Sequence, residues 1–368
     1  NLKKERKINM NILLYDNGQP FDLETPYKTY LGGSETSLIL FAKGLQQIGH
    51  NVFICNNLNY ENIEQSNIQL FNNKYTLDIL NKCDIIICNR TFPYELEKFI
   101  NKKKIYYFSH DSYDQHLVHN WLYKHEIIKV LNGFFCVSNW QKNTFFKYFN
   151  IPDTLQNKFY TIGNPIDSSL YFGYAERNKN KLIFASIPYK GLELLNKIFN
   201  DICIQSKNED LELHIYSNMK LYNNEKINED YQEIFHNLNN SKNVFINELI
   251  SMKDLAYQFK TSNLYIHPNL YHETFGMVFT QCQASGCIPI TTNKGAVNEV
   301  IENNKTGIIL NYPNIENRDC YKLFIDTMCD LLKDENRLYK MRINAEKFIQ
   351  QFDYVKLAKK MESVLLET

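Results

Sequence analysis

The fold is decided by the stretch HPNLYHETFGMVFTQCQASGCIPI, residues 267–290. The stretch overlaps one apolar run, NLYIHP at 263–268, and a second, CIPITT at 287–292, and between them lie a polar loop and an amphipathic segment. A buried strand, a helix and another buried strand in this order are typical of a parallel α/β sheet. The loop between the first strand and the helix carries Glu273, so it can also carry a site.

The same alternation extends through the rest of the chain. Between the strand-like runs lie helix-like segments, of which the clearest is SETSLILFAKGLQQIG at 34–49, with one apolar stripe. The strand-like runs are almost continuously apolar, as expected for strands covered by helices on both faces. They lie at 11–16, 50–57, 83–89, 104–110 and 133–139, and then at 181–188, 212–218, 243–247, 263–268 and 287–292.

The chain divides into two parts at a pause in this pattern. A length of 368 residues suits two domains, and the turn-rich segment NPID, at 164–167, separates the two series of strands. We therefore predict a first domain at 1–165 and a second at 166–345. The charged, amphipathic residues from about Asp334 onward predict terminal helices, and 346–368 are expected to form a helix that returns to the first domain.

Composition excludes several classes of protein. Lys plus Arg and Asp plus Glu number 41 each, so no overall field favours nucleic acid. Nine cysteines without a CxxC motif indicate reduced, buried thiols rather than a zinc site. No apolar run approaches the roughly 18 residues of a membrane helix, and no signal-peptide core is evident. We expect a cytoplasmic protein without a transmembrane segment, although basic runs at 3–7 and 102–104 leave a peripheral membrane contact open.

Glycines indicate where the backbone approaches a ligand. The chain has only 13 glycines, roughly half of the usual share, and several stand where a strand meets a helix, the junctions at which open α/β sheets bind ligands. Those glycines are Gly32, Gly33, Gly191, Gly276 and Gly286. The segment GGSE at 32–35 precedes the first long helix, whose N–H groups could bind a phosphate. The alternative is a tight turn with Ser34 as an ordinary N-cap.

Two further junctions carry charged residues. Lys190 and Gly191 open a helix, where a lysine is slightly unfavourable unless an anion is bound. A phosphate-binding lysine and a solvated surface lysine both remain open. In the third junction the helix is expected to begin near Phe275–Gly276, which places Glu273 in the loop and Gln281 about two turns into the helix. Glu273 could then accept hydrogen bonds from sugar hydroxyls while the helix start binds a diphosphate.

The ordered series of motifs resembles glycosyltransferase family 4, a large family of retaining enzymes. The motifs are GGSE at 32–35, SHD at 109–111, VSNW at 137–140, GNPID at 163–167, YKGLELL at 189–195 and ETFGMVFTQCQASGCIPI at 273–290. The resemblance implies the α/β fold class GT-B, in which two Rossmann-like domains with parallel sheets face each other across a cleft and helices end the chain. It also implies transfer of a hexose-type sugar from a UDP or GDP donor to a hydroxyl of a glycan, lipid or protein-linked acceptor.

The resemblance also implies roles for individual residues. Glu273 matches the first glutamate of the E-x7-E motif, which contacts the donor sugar, and Lys190 matches the residue that neutralises the diphosphate. His110 matches a histidine near the reacting sugar, although a structural histidine at a strand end is an alternative. These three form the expected catalytic set. The other expected donor contacts are Gly32, Gly33, Thr274, Phe275, Gly276, Met277 and Gln281.

The expected mechanism needs neither a cofactor nor a metal. No DxD-type signal follows a strand, so Lys190 and helix amides are expected to neutralise the leaving diphosphate. Since no second carboxylate is evident as a nucleophile, we expect substitution on the same face of the sugar rather than a covalent intermediate. Closure of the two domains is expected to expel water.

Two departures from the family pattern leave alternatives open. Gln281 replaces the second motif glutamate, which costs about 1–2 kcal/mol if a charged acceptor for the ribose hydroxyls is lost. The arginine that usually precedes the lysine has no counterpart in FASIPYKG at 184–191. A catalytically weak or inactive protein that binds sugar nucleotides or glycans is therefore one alternative, and a nucleotide-sugar epimerase is another. A dehydrogenase is disfavoured because no GxGxxG follows a strand.

Overall fold

The computed structural model describes residues 9–91, 96, 102–115, 120–218, 229–311 and 315–367. These residues form two compact units. Unit 1 comprises the described residues of Asn1–Glu24, Gly33–Pro165 and Asp353–Thr368, and unit 2 comprises those of Thr25–Gly32 and Ile166–Phe352. The basic run expected at 3–7 lies outside the described residues.

Unit 1 contains an eight-stranded sheet in the order β3-β4-β2-β1-β5-β6-β7-β8. The pair β3 and β4 is antiparallel, and the other neighbouring strands are parallel. The strands are β1 (Asn11–Asp16), β2 (Asn51–Asn56), β3 (Asn62–Gln65), β4 (Ile68–Asn72), β5 (Ile85–Asn89), β6 (Lys104–Ser109), β7 (Gly133–Cys136) and β8 (Phe159–Thr161).

Unit 2 contains a six-stranded sheet in the order β11-β10-β9-β12-β13-β14, with every neighbouring pair parallel. Its strands are β9 (Asn178–Ala185), β10 (Glu212–Tyr216), β11 (Val244–Asn247), β12 (Ser262–His267), β13 (Ile288–Thr292) and β14 (Ile308–Leu310).

Helices connect the strands in both units. In chain order they are α1 (Thr25–Lys28), α2 (Gly33–Gln47), α3 (Thr76–Leu80), α4 (His125–Val130), α5 (Asn139–Tyr148), α6 (Asp153–Gln156), α7 (Ser168–Tyr171), α8 (Leu192–Ser206), α9 (Gln232–Asn239), α10 (Met252–Thr261), α11 (Met277–Ala284), α12 (Val297–Val300), α13 (Arg318–Lys333), α14 (Glu335–Ile349) and α15 (Tyr354–Glu367). None of the described helices is long and apolar enough to span a membrane.

The last helix packs within unit 1. Gly44 of α2 lies so close to α15 that an added Cβ would stand 2.6 Å from the carbonyl oxygen of Tyr354 and 2.7 Å from Cβ of Ala358. His50, which follows α2, lies 3.0 Å from the carboxylate of Glu362. The small residues therefore allow two helices that are distant in sequence to meet at close range.

Burial follows the apolar runs of the sequence. All five residues of β5 and all six of β12 are buried, as expected for parallel strands covered on both faces. All nine cysteines lie among the described residues and are free, and eight of them are buried. The predicted α/β class with two parallel sheets is confirmed.

The sequence reading missed the short strands β3, β4, β8 and β14. Strands β3 and β4 form a hairpin whose turn residues Ser66 and Asn67 both have positive φ, 50° and 61°. The hairpin lies at the edge of the sheet, where only two of its nine strand residues, Ile68 and Leu70, are buried. Its residues therefore lack the continuous apolar pattern by which the inner strands were found.

The strand orders define one switch point in each sheet. In unit 1, β2 pairs with one side of β1 and β5 with the other. In unit 2, β10 and β12 flank β9 in the same way. Connections from such adjacent strands diverge, which opens a crevice outside their carboxyl ends where α/β proteins bind ligands. The functional residues should therefore be sought after β1 and β5 and after β9 and β12.

Candidate functional site

The switch point of unit 2 brings Lys190 and Glu273 together. Lys190 ends a short 3-10 helix after β9, and Glu273 lies in the loop after β12. The lysine Nζ lies 2.8 Å from Oε2 of Glu273, and the two side chains are 17% and 7% exposed. Since β9 and β12 are neighbours in the sheet, residues 83 positions apart form a largely buried ion pair.

Two glycines with positive φ allow the loops of this site to pack closely. Gly191 has φ of 114°, and an added Cβ would lie 2.3 Å from the carbonyl oxygen of Pro268. Gly295 has φ of 75°, and an added Cβ would lie 2.2 Å from the carbonyl oxygen of Glu273. That oxygen accepts a hydrogen bond of 2.7 Å from the backbone N–H of Ala296. Glycine is required at both positions, first by the left-handed backbone and then by the close approach.

The helix that follows Glu273 starts later than the sequence suggested. Helix α11 begins at Met277, after Gly276 with φ of 83°. Gln281 is its fifth residue, just beyond one turn, so the expectation of two turns is wrong. The reason is that Gly276, at the N-cap, has left-handed backbone, so the helix does not extend back to Phe275. The Phe275 side chain is 2% exposed and packs on the ring of Phe352 at 5.4 Å, whereas the backbone of residues 274–276 lies beside the helix start, where N–H groups can bind a ligand.

Glu273 is held in its ionised form. Burial would raise its pKa, but Lys190 and the neighbouring His267 outweigh burial and lower the pKa to about 2. The second oxygen, Oε1, lies 3.6 Å from Nε2 of His267. The site therefore keeps a negative carboxylate and a positive ammonium in contact at neutral pH.

His267 and Tyr265 are functional candidates that the sequence reading did not single out. Both lie on β12 and are 1% and 0% exposed. The Tyr265 hydroxyl lies 2.8 Å from Nδ1 of His267, and the imidazole stacks on the ring of Phe184 at 5.6 Å. Their spacing of two residues on a strand could have indicated a common face, but an apolar run with one tyrosine and one histidine is also ordinary core.

The switch point of unit 1 holds a second polar cluster. Asp16 ends β1, Asn89 ends β5, and the Asn89 amide donates a hydrogen bond of 2.6 Å to Asp16. Asp16 is 1% exposed. Burial, together with the nearby negative charge of Glu35, raises its pKa to about 6 despite the hydrogen bonds that it accepts.

Arg90 joins three further residues of this cluster. Its guanidinium makes two hydrogen bonds to Asp111, of 2.7 and 3.0 Å, and lies 3.7 Å from Glu35. Glu35 also accepts a hydrogen bond of 2.8 Å from the Ser34 hydroxyl. Residues 34, 35 and 111 lie within the motifs recognised in the sequence, but none of them was predicted to be a site residue. Charged residues just after buried strands, at 90 after β5 and at 111 after β6, were the available signal.

The remaining predicted site residues of unit 1 lie at α2 and after β6. Gly33 is the first residue of α2, so Ser34 lies inside the helix and is not its N-cap. Gly32, next to it in sequence, belongs to unit 2. Burial lowers the pKa of His110 to about 3, so its imidazole is neutral at physiological pH.

Solved structures identify the class of fold. HepE of Anabaena in complex with UDP and glucose is 15% identical, covers 98% of this chain and 100% of its own, and has a TM-score of 0.72. Sucrose-phosphate synthase of Thermosynechococcus elongatus is 13% identical, with coverage of 98% and 99% and a TM-score of 0.71. The pneumococcal O-GlcNAc transferase GtfA in complex with UDP and GlcNAc is 12% identical, with coverage of 98% and 99% and a TM-score of 0.70. Such likeness establishes the fold, and the predicted GT-B class is confirmed.

Part of the sequence of unit 2 matches a known family. Residues 175–348 match the family described as "Glycosyl transferases group 1". The matched region contains Lys190, Glu273 and Gln281. This region, somewhat less than half of the chain, is therefore similar to the group 1 glycosyltransferases. No curated protein sequence matches the chain.

Proposed function

We propose that the protein is a retaining glycosyltransferase of family 4 that moves a hexose-type sugar from a UDP or GDP donor to a hydroxyl of a glycan, lipid or protein-linked acceptor. The observation that carries the proposal is the buried ion pair of Lys190 and Glu273. Gly191 follows the lysine, and Gly295 packs closely against the backbone of Glu273. The pair lies after the two strands that form the switch point of unit 2, within the region that matches the family.

Lys190 is the proposed partner of the donor diphosphate. Its Nζ lies 2.8 Å from Glu273 and 5.5 Å from the centre of the Tyr271 ring. The N-terminus of α11 begins four residues after Glu273 and offers N–H groups without intrahelical partners. An ammonium and a helix N-terminus together suit the negative charge that develops on a leaving diphosphate. On this proposal, transfer requires neither a metal ion nor a cofactor besides the donor.

Glu273 is the proposed acceptor for hydroxyls of the donor sugar. A carboxylate with a pKa of about 2 is a weak base and a weak nucleophile. It is better suited to fixing the sugar through hydrogen bonds than to forming a covalent intermediate. This supports substitution on the same face of the sugar, with retention of configuration.

The neighbouring structures support UDP as the nucleotide of the donor. HepE is described in complex with UDP-glucose, and GtfA in complex with UDP and GlcNAc. A thermal-shift series with UDP-, GDP-, ADP- and TDP-sugars tests the nucleotide. A ligand at 100 times its dissociation constant should stabilise the protein by roughly 2.7 kcal/mol. The roles of Gly32, Gly33 and His110 remain predictions.

The decisive experiment measures sugar transfer or donor hydrolysis in Lys190→Ala and Glu273→Ala. Both changes should lower turnover by at least about 100-fold, as removal of one stabilising group at a developing charge does. The control is Lys253→Ala, which removes an exposed lysine of α10 in the same unit. Wild-type turnover in both site variants refutes the assignment.

A second candidate function is binding of a sugar nucleotide or glycan without turnover. Gln281 favours it, since a neutral amide stands in α11 where the family motif has a glutamate. Gln281→Glu tests this candidate. If the second glutamate limits activity, turnover should rise in the variant. If wild type binds a donor by thermal shift and neither protein turns it over, the binding function is supported.

A further inference from the structure

Three buried polar side chains stand in a row behind the proposed donor site. Tyr265 and His267 alternate along β12, so both side chains point to the same face of the sheet. The Tyr265 hydroxyl lies 2.8 Å from Nδ1 of His267, and Nε2 of the same imidazole lies 3.6 Å from Oε1 of Glu273. The other oxygen of Glu273 lies 2.8 Å from Lys190. Each oxygen of the carboxylate therefore faces a different partner.

The imidazole of His267 is confined and neutral. Its ring is 1% exposed and lies against the rings of Phe184 and Phe279, at 5.6 and 5.2 Å between centres. Burial lowers its pKa, although Glu273 opposes this shift. Among the described residues, the charged groups that act on it are Glu273 and Lys190. A neutral imidazole carries one proton, so one ring nitrogen donates and the other accepts.

The neighbours of the ring distinguish between the two tautomers. With the proton on Nδ1, that N–H would donate to the Tyr265 oxygen at 2.8 Å and the hydroxyl would donate to the carbonyl of Ala185 at 3.4 Å. The bare lone pair of Nε2 would then face the ionised carboxylate of Glu273. With the proton on Nε2, the hydroxyl donates to Nδ1 at 2.8 Å and the N–H points toward Glu273. Since the 2.8 Å contact is a hydrogen bond in either arrangement, the contact with the charged carboxylate decides between them, and it favours the proton on Nε2.

We propose that Tyr265 and His267 are positioning residues for Glu273. The charge of Glu273 keeps the proton on Nε2, the Tyr265 hydroxyl donates to Nδ1 and fixes the ring, and the N–H attracts Oε1 of Glu273 across 3.6 Å, a charge contact longer than a hydrogen bond. Oε2 is thereby directed to Lys190 and, if the proposed function is correct, the carboxylate is presented to the donor sugar in one orientation. The tautomer does not depend on the proposed function, whereas the effect on turnover does.

Nitrogen NMR of the imidazole tests the tautomer without any assay of activity. In protein with 15N-labelled histidine, the His267 signals are identified by their absence from His267→Gln. Near pH 7 we expect a protonated Nε2 and an unprotonated Nδ1. Tyr265→Phe should move the Nδ1 resonance further toward that of a nitrogen without a hydrogen bond. A proton on Nδ1 in wild type, or an imidazolium, overturns the proposal.

A matched control separates this effect from loss of any buried hydroxyl. The hydroxyl of Tyr171 is buried in the same unit, at 0% exposure, and has no hydrogen-bond partner among the described residues. Tyr171→Phe should leave the His267 resonances and turnover unchanged, while Tyr265→Phe should lower turnover about 2- to 10-fold, the usual effect of one lost hydrogen bond. Equal behaviour of the two variants contradicts a specific role for Tyr265.

Two substitutions of His267, by glutamine and by asparagine, test the role of the N–H that faces Glu273, because the two amide side chains differ in length. Glutamine can place a nitrogen near the position of Nε2, whereas asparagine reaches only the position of Nδ1. We expect His267→Gln to keep more turnover than His267→Asn, by about 2- to 10-fold, at matched melting temperatures. Equal loss in both variants shows that His267 is only part of the core. If wild type has no transferase activity, the proposed function fails while the NMR result still decides the tautomer.

Discussion

Each switch point has a buried carboxylate near the carboxyl ends of its parallel strands, Asp16 in unit 1 and Glu273 in unit 2, yet the pKa values of these two groups are shifted in opposite directions. Asp16 is 1% exposed and Glu273 is 6% exposed. The pKa of Asp16 is raised to about 6, whereas that of Glu273 is lowered to about 2. Burial raises the pKa of any carboxyl group, so burial alone does not account for the difference.

The difference comes from the sign of the nearest charge. Glu273 has the ammonium of Lys190 at 2.8 Å. Asp16 has the carboxylate of Glu35 nearby, and the cation of its cluster, Arg90, makes its two hydrogen bonds to Asp111 instead. Similar positions in two similar sheets therefore supply different chemistry: a fixed ion pair in unit 2, and a group that exchanges a proton near neutral pH in unit 1.

Gly295→Ala should have the largest effect, because it disrupts the support of the unit 2 pair. The new Cβ would lie 2.2 Å from the carbonyl oxygen of Glu273, at a residue with φ of 75°. We expect a loss of about 3–5 kcal/mol in the free energy of unfolding, from backbone strain and displacement of the loop. Urea denaturation measures this loss.

Gly173→Ala separates the two causes of that loss. Gly173 also has positive φ, 107°, but the nearest atom to its added Cβ is the end of Lys260, at 4.0 Å. This variant should lose only about 1–2 kcal/mol, from the left-handed backbone alone. Equal losses in Gly173→Ala and Gly295→Ala would show that the close approach to Glu273 has no energetic consequence.

Lys190→Met should have the next largest effect on stability, since it removes the cation that contacts the buried carboxylate of unit 2. The change keeps the alkyl chain and leaves Glu273 buried without its cation. Breaking a buried pair costs about 3–5 kcal/mol, and we expect about 2–4 here because Lys190 retains some contact with water. The exposed Lys253→Met is the control, with a change below about 0.5 kcal/mol.

The pH dependence of stability tests whether the loss in Lys190→Met comes from the charge of Glu273. The pKa of Glu273 is about 2 in the folded protein and about 4.3 when unfolded. Its contribution is therefore fully present above about pH 5 and is lost as the pH falls toward 2. The stability difference between wild type and Lys190→Met should be largest near pH 7 and shrink in acid. A constant difference from pH 3 to 7 contradicts the assignment.

Glu35→Gln should have the smallest effect, on the unit 1 carboxylate. The pKa of Asp16 is about 6 when folded and about 3.9 when unfolded, so Asp16 costs stability as the pH rises from about 4 to 6. Removing the charge of Glu35 should lower this pKa and reduce the cost by about 1 kcal/mol. Unfolding measured from pH 4 to 8 tests this, with the exposed Glu64→Gln as control. Identical profiles for the two variants exclude coupling between Asp16 and Glu35.

Much of the fold was predictable because inner strands and helices have local patterns. The strands β1, β5, β9 and β12 each contain an unbroken apolar run, at 12–15, 85–88, 182–185 and 264–266, and no distant information is needed to recognise these runs. The hairpin β3–β4 was missed because its side chains alternate between core and solvent at the edge of the sheet. The start of α11 was placed one or two residues too early because the positive φ of Gly276, which ends the loop, is not visible in the sequence.

The candidate site was predictable only in part. Glu273 and Lys190 stand beside glycines in recognisable motifs, so each could be chosen from the sequence. Tyr265 and His267 could not, because a tyrosine and a histidine in an apolar run are ordinary core residues until their contact with Glu273 is known. The cluster around Asp16 was missed because its members come from four separate segments of the chain, and their contacts are known only from the structure.

The sequence by itself determined the strand and helix series, the loops that carry charge and the glycines that allow close approach, because these depend on residues within a few positions of each other. The tertiary structure decided which loops meet. It set β9 beside β12, so that residues 190 and 273 form an ion pair, and it placed Glu35 rather than a cation near Asp16. The pKa of a buried group depends on its neighbours in space, and strand order, rather than distance along the chain, selects those neighbours.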